Sequence, residues 1–195
     1  MKLTRGYFNS YSRVGDSNIV NESYSRTRYF SSDSVRSASG TTVFISHKHS
    51  DLDDLKGLLN FLKRNYNVIP YIDSMDKRMP EETCGDTAVR IKQVISTCNR
   101  FLLLATNKAL ASMWCNWEVG IADKLKLPAN NMAILPMVDS INSLYDGNEY
   151  LEIYPYVDEW VNYDGKKQLT VVYKDYAGKQ KRVSIKDWLS GDGNY

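Results

Sequence analysis

Four short apolar runs alternating with segments of helical period constrain the fold of this chain more than any other feature. Thr42-Val43-Phe44-Ile45-Ser46 is rich in β-branched residues and free of breakers, so it reads as a strand. Behind it, Ser50 and Asp53 have the spacing of a capping box, and Leu52, Leu55, Leu58, Leu59 and Leu62 recur at helical intervals. Asn67 ends that helix, and Val68-Ile69-Pro70-Tyr71-Ile72 forms a second strand whose Pro70 lacks a ladder donor, which predicts an edge or a bulge. A polar loop over 73–85 leads to a second helix marked by Ala88, Ile91, Val94, Ile95 and Cys98. Phe101-Leu102-Leu103-Leu104-Ala105 is continuously apolar, as a strand covered on both faces must be. A third helix starts near Met113 and carries Trp114, Trp117, Ile121 and Leu125, and the run from Met132 to Val138 is the fourth strand. This alternation predicts an α/β fold, a parallel sheet between helices. Ligands of such sheets bind beyond the carboxyl ends of the strands, which singles out the loops after Ile45, Ile72 and Ala105.

The flanks read differently. Residues 1–40 form a serine-, arginine- and tyrosine-rich arm, typified by Tyr24-Ser25-Arg26-Thr27-Arg28-Tyr29-Phe30, with no period and little apolar surface to offset chain entropy. Such an arm is expected to be disordered or ordered by a partner, and packing on its own domain or a neighbouring copy is favoured over contact with RNA, since Asp16, Glu22 and Asp33 dilute its charge. The central domain is expected over 41–160, its last stretch, from Leu151 to Trp160, being a short helix broken by Pro155. Over 161–195, two strand-like runs, Leu169-Thr170-Val171-Val172-Tyr173 and Lys181-Arg182-Val183-Ser184-Ile185, flank a turn at Ala177-Gly178. That hairpin is an accessory to the domain, being marginal alone. Ile185 to Leu189 closes it as a short turn or helix.

A net charge of +2 gives no field that would favour nucleic acid or an anionic membrane. No apolar stretch has the length of a membrane span, and the polar N-terminus lacks a signal-peptide core. Cys84, Cys98 and Cys115 have neither disulfide nor metal spacing, which leads to the expectation of a reduced, cytoplasmic protein. His47 and His49 lack the further ligands a metal needs, so no metal site is expected. Cys115 has no evident base and reads as a small packing residue.

Trp114 and Glu118 share a face of the third helix. Alone, Glu118 reads as a solvated first-turn glutamate, which is only what the helix dipole favours. Its surroundings add more. Phe44-Ile45-Ser46-His47-Lys48-His49-Ser50-Asp51 resembles the opening strand and loop of Toll/interleukin-1-receptor (TIR) domains. Tyr71-Ile72-Asp73 resembles the family's second strand and the acidic residue after it. Ser112-Met113-Trp114-Cys115-Asn116-Trp117-Glu118 resembles its serine–x–tryptophan–cysteine–x–x–glutamate signature, and the three motifs occur in family order.

The resemblance implies a flavodoxin-like arrangement and assigns roles. Glu118 would be the catalytic residue, and Trp114 would line the nicotinamide end of a pocket for NAD+, the substrate, with no cofactor required. Asp73 and Gly85 bracket the loop that folds over ligand in this family, although residues 74–83 are longer than the usual pattern. Ser46, His47 and Lys48 would contact phosphate or ribose, a basic turn in solvent being the equal alternative for the last two. NAD+ already carries a cationic leaving group, so the barrier lies in the cation-like ribose, which one carboxylate can stabilise. Capture by water gives ADP-ribose, and capture by the adenine moiety gives a cyclic product. Short stand-alone prokaryotic members imply a part in anti-phage defence, as in Thoeris-type systems, with TIR–TIR self-association and a separate effector that responds to the product. A scaffold acting only through TIR–TIR assembly is the alternative, against which the joint presence of Glu118 and Trp114 speaks. A related deoxyribosyltransferase is disfavoured by the Trp-Cys-x-x-Glu run.

Overall fold

The computed structural model describes residues 3–12, 40–73, 84–140 and 149–191. The aromatic–arginine stretch and the 74–83 loop singled out above lie outside the described residues. In chain order the main elements are β1 (Leu3–Thr4), α1 (Asn9–Ser12), β2 (Thr41–Ser46), α2 (Leu52–Tyr66), β3 (Val68–Tyr71), α3 (Gly85–Thr97), β4 (Arg100–Ala105), α4 (Asn107–Leu110), α5 (Met113–Lys126), β5 (Met132–Val138), β6 (Tyr156–Val161), β7 (Lys167–Lys174), β8 (Gln180–Ser184) and α6 (Ile185–Ser190).

One sheet runs β3-β2-β4-β5-β6-β7-β8, with β1 added alongside β5. Pairings from β3 through β6 are parallel, and β6-β7 and β7-β8 are antiparallel. β4 lies inside the sheet and every one of its residues is buried. Its period of two feeds two cores: Leu102 and Leu104 pack with the α2 leucines and Trp188 on one face, while Phe101, Leu103 and Ala105 pack with α3 and α5 on the other. Each leucine buried this way contributes about 1.5–3 kcal/mol. β3 is the edge strand, so Pro70 costs the ladder nothing. α2 stops where Asn67 turns left-handed, at φ 50°.

Three local expectations are corrected. The Ser50–Asp53 capping box does not form: His49–Asp51 make a 3-10 turn, and the carboxylate of Asp51, the residue preceding α2, accepts the Thr106 hydroxyl at 2.5 Å instead of capping the helix. The stretch from Leu151 to Trp160 is not a helix broken by Pro155. Glu149–Ile153 is one 3-10 segment, and Tyr156–Val161 is a strand of the main sheet. Pro155 precedes that strand, so its missing donor is not needed, and its carbonyl accepts from the Ile134 N–H at 2.8 Å. Glu118 is also not in the first turn of its helix, because α5 begins at Met113. The β7-β8 turn closes where the Asp175 carboxylate takes the N–H groups of Ala177 and Lys179, and Gly178 adopts φ 73°.

The first residues pack on this domain. Leu3 and Thr4 pair in parallel with Met137 and Val138. Phe8 is 1% exposed, its ring tilted against Phe61 of α2 at 5.1 Å, and Gly57 of the same helix leaves room for the Phe8 backbone. No helix among the described residues is long and apolar enough to cross a membrane.

Candidate active site

Ser46 is the last residue of β2, Asp73 follows β3, and Glu118 lies in α5, which begins soon after β4 ends. Parallel pairing brings these strand ends to one side, and there the Ser46 hydroxyl donates to Glu118 Oε2 at 2.5 Å. Glu118 is 3% exposed and Ser46 is 1% exposed. Burial, and then the nearby charge of Asp73, push the Glu118 carboxyl up to about 8, against a smaller opposing effect of the Ser46 hydrogen bond. Desolvation penalises the ionised form more than one hydroxyl relieves it.

His47 completes this wall. Its side chain is almost wholly buried, with Nδ1 3.3 Å from the Ile45 carbonyl and 3.9 Å from Asp73 Oδ1. Burial lowers its pKa from the ordinary imidazole value despite Asp73, which favours the neutral ring. Cys115, one helical turn from Glu118, is buried and has its thiol pKa raised, chiefly by burial. Trp114 stands at the rim, 37% exposed, its ring edge-on to Trp117 at 5.1 Å.

Of the residues singled out in the sequence, the fold therefore gathers Ser46, His47, Asp73 and Glu118, with Trp114 one turn before Glu118. Lys48 and Gly85 are exposed, on the loop after β2 and at the first position of α3. A Cβ built at Gly85 meets nothing within 4 Å, so the described residues place no steric demand for glycine there.

The sequence reading missed a second layer beneath this cluster. Asp51, in the loop after β2, is fully buried and bonded to Thr106, which follows β4 and also caps α4 through the Ala109 N–H. Arg5, far away in sequence, lies with Nη2 3.2 Å from Asp51 Oδ1. A buried aspartate in a loop was the available signal, but nothing local in the sequence distinguishes it from a helix cap.

A cleft of about 650 Å³, with Thr41, Lys63, Arg64, Lys186 and Ser190 in its walls, opens at the other end of the molecule. It includes the start of β2 and the end of α2, the amino side of the sheet, and offers no carboxylate. Chemistry on a developing cation is better served at the Glu118 end.

This chain is 26% identical over 151 residues to a Bacillus cereus (strain MSX-D12) protein named "Probable 3' cyclic ADP-D-ribose synthase ThsB'", a match covering 75% of this chain and 74% of that protein. The family described as "TIR domain" matches residues 43–170, a span holding Ser46, Asp73, Trp114 and Glu118 and running on into β7. With that match over most of its length and the parallel sheet that the family motifs implied, the chain belongs to the TIR domain family.

Proposed function

We propose that this protein breaks the nicotinamide–ribose bond of NAD+ at Glu118 and closes the remaining ADP-ribose into a cyclic messenger for anti-phage signalling. The observation that carries this reading is the buried Ser46–Glu118 hydrogen bond at the carboxyl edge of the sheet, with Asp73 close enough to raise the glutamate's pKa. The name of the Bacillus cereus relative supports the cyclic outcome over the linear one.

The bond electrons leave with the pyridinium nitrogen, so neutral nicotinamide departs without an acid. The ribose left behind is cation-like, and ionised Glu118, itself only 3% exposed, stabilises it where little water screens the charge. Before substrate arrives Glu118 holds a proton near neutral pH, and the approach of cationic nicotinamide favours its release. Ser46, already bonded to Oε2, fixes the carboxylate in one orientation. A hydroxyl of the adenosine half then attacks the ribose carbon and loses its proton, giving the cyclic product, while water in its place gives ADP-ribose. In this reading Asp73, whose side chain is partly exposed at 34%, receives that proton. Trp114 supplies a flat wall for the nicotinamide, and self-association and a separate effector complete the pathway.

Met113 at 87% exposure and Trp117 at 38% present apolar surface at the start of α5, which favours the non-catalytic scaffold as the second reading. The two are separated by incubating the full chain with NAD+ at high concentration, with and without a crowding agent, and identifying products by chromatography and mass. The enzyme releases nicotinamide and a product lighter than ADP-ribose by one water, and Glu118→Gln abolishes both. No nicotinamide from concentrated wild type, or equal release by Glu118→Gln, rejects the catalytic reading.

A further inference from the structure

Arg5 lies outside the 43–170 span matched by the family, yet it is bonded to several elements that frame the Glu118 cluster. Its backbone N–H donates to the Val138 carbonyl at 2.8 Å and so continues the β1-β5 ladder. Its Nε donates to Asp54 Oδ2 of α2 at 2.8 Å, and the next N–H, of Gly6, donates to Asp54 Oδ1 at 2.8 Å. Nη2 stands 3.2 Å from Asp51 Oδ1, and Nη1 stands 3.7 Å from the exposed Asp139. Asp51 has no exposed surface, and its second oxygen is held by the Thr106 hydroxyl. A buried carboxylate is tolerated only with its charge compensated, and here the compensating guanidinium comes from the N-terminal segment.

The path from Arg5 reaches both walls of the site. Asp51 ends the loop that begins at His47, directly after Ser46. Thr106 starts the turn into α4, and α4 is tied to α5 by the Asn116 side-chain N–H on the Leu110 carbonyl at 2.9 Å. We infer that Arg5 is a positioning residue for bond cleavage: through Asp51 and Thr106 it locks the His47 loop to the turn that carries Trp114 and Glu118. The inference rests on the reading of Glu118 as the catalytic residue. It makes the N-terminal segment a working part of the catalytic end of a domain whose family pattern starts only at residue 43.

The test compares wild type with Arg5→Ala, Arg5→Lys, Thr106→Val, the Arg5→Lys/Thr106→Val double variant and Tyr7→Phe in the full chain. Tyr7 anchors the same segment through its hydroxyl on Glu159 but does not touch Asp51. For misplacement of a catalytic group, Arg5→Ala and Thr106→Val should each lower kcat by about tenfold to a hundredfold, with KM within about threefold. Arg5→Lys should recover part of the loss, the double variant should be no worse than Thr106→Val alone, and Tyr7→Phe should keep wild-type kcat. Amide hydrogen exchange over 46–51 and 106–114 should quicken in both segments in Arg5→Ala, and in Arg5→Lys to a smaller degree. If Arg5→Ala does not fold, Arg5→Lys and Thr106→Val carry the comparison. Unchanged kcat in folded Arg5→Ala, or additive losses in the double variant, overturns the inference. Should wild type release no nicotinamide, the proposed function falls and exchange alone decides the role of Arg5: protection in both segments equal to wild type refutes it, and loss in both upholds the link.

Discussion

The Ser46 hydroxyl and the Glu118 carboxylate meet at 2.5 Å across 72 residues of sequence, inside the protein, where, among the described residues, the hydrogen bond favours the ionised acid against burial and against Asp73. Removing it should raise the Glu118 pKa further. In Ser46→Ala, the rise of kcat/KM with pH is expected to move to higher pH. At pH 7 the value should fall by about tenfold to a hundredfold, the worth of a charge-assisted hydrogen bond. Activity should recover toward pH 9. A loss independent of pH would assign Ser46 to packing alone.

Asp73 acts on the same acid with the opposite sign. Its charge raises the Glu118 pKa, so Asp73→Asn should shift the rising limb of kcat/KM toward lower pH. Any loss of the Asp73 role in proton transfer lowers kcat without altering that direction. A pH–rate profile for the two variants side by side gives displacements of opposite sign if both residues act through Glu118.

Keeping Glu118 protonated has a consequence for stability. Its carboxyl is raised to about 8 in the fold, against an ordinary value of 4.5, so between those pH values the folded chain holds a proton that the unfolded chain has lost. Stability from this group is present in full below pH 4.5 and declines as pH rises toward 8. Glu118→Gln keeps the acceptor for Ser46 and removes the titration. It should match wild type near pH 5 and exceed it at pH 8 by a few kcal/mol, or about 2–4 °C in Tm for each. Thermal denaturation at the two pH values checks this without any turnover, and a constant difference between the proteins would refute it.

How far the sequence disclosed this arrangement depends on whether the signal is local. β4 was legible because five apolar residues in a row have few other fates, and α2 because its leucines repeat at helical spacing. Tyr156–Val161 was misread because Tyr156 and Trp160, like Val157 and Val161, lie four apart as on a helix, while the strand is held by its ladder to β7. Ser46, Asp73 and Glu118 were found through resemblance to a family; spacing alone would not have joined them. Arg5 and Thr106 escaped altogether, since their meaning comes from Asp51, which each reaches from another part of the chain.

Trp114 and Trp117 form an edge-on pair, yet only Trp114 shares a helix face with Glu118. Alanine at either position removes the pair and should cost about 0.5–1.5 kcal/mol of stability. Alanine at position 114 should also remove the nicotinamide wall and raise KM for NAD+ by about tenfold, in line with aromatic stacking on a flat ring. Trp117→Ala should leave KM near wild type. Steady-state kinetics on the two variants, with Tm as the internal check, distinguishes a substrate wall from simple packing.

Gly57 offers a test of how tightly the N-terminal segment is seated. Glycine inside a helix usually costs about 1 kcal/mol relative to alanine, so Gly57→Ala on a bare α2 would stabilise the protein. Here the added Cβ would lie 2.7 Å from the Phe8 carbonyl oxygen and 2.8 Å from the Phe8 Cβ, and backbone cannot swing aside as a side chain can. Overpacking of that kind costs about 1–3 kcal/mol, which outweighs the gain in helix propensity. Gly57→Ala is therefore expected to lower Tm by several degrees. It should also slow turnover if the segment it displaces holds Arg5 on Asp51. A rise in Tm would mean that Phe8 does not sit on α2 in solution, and the link from Arg5 to the site would go with it.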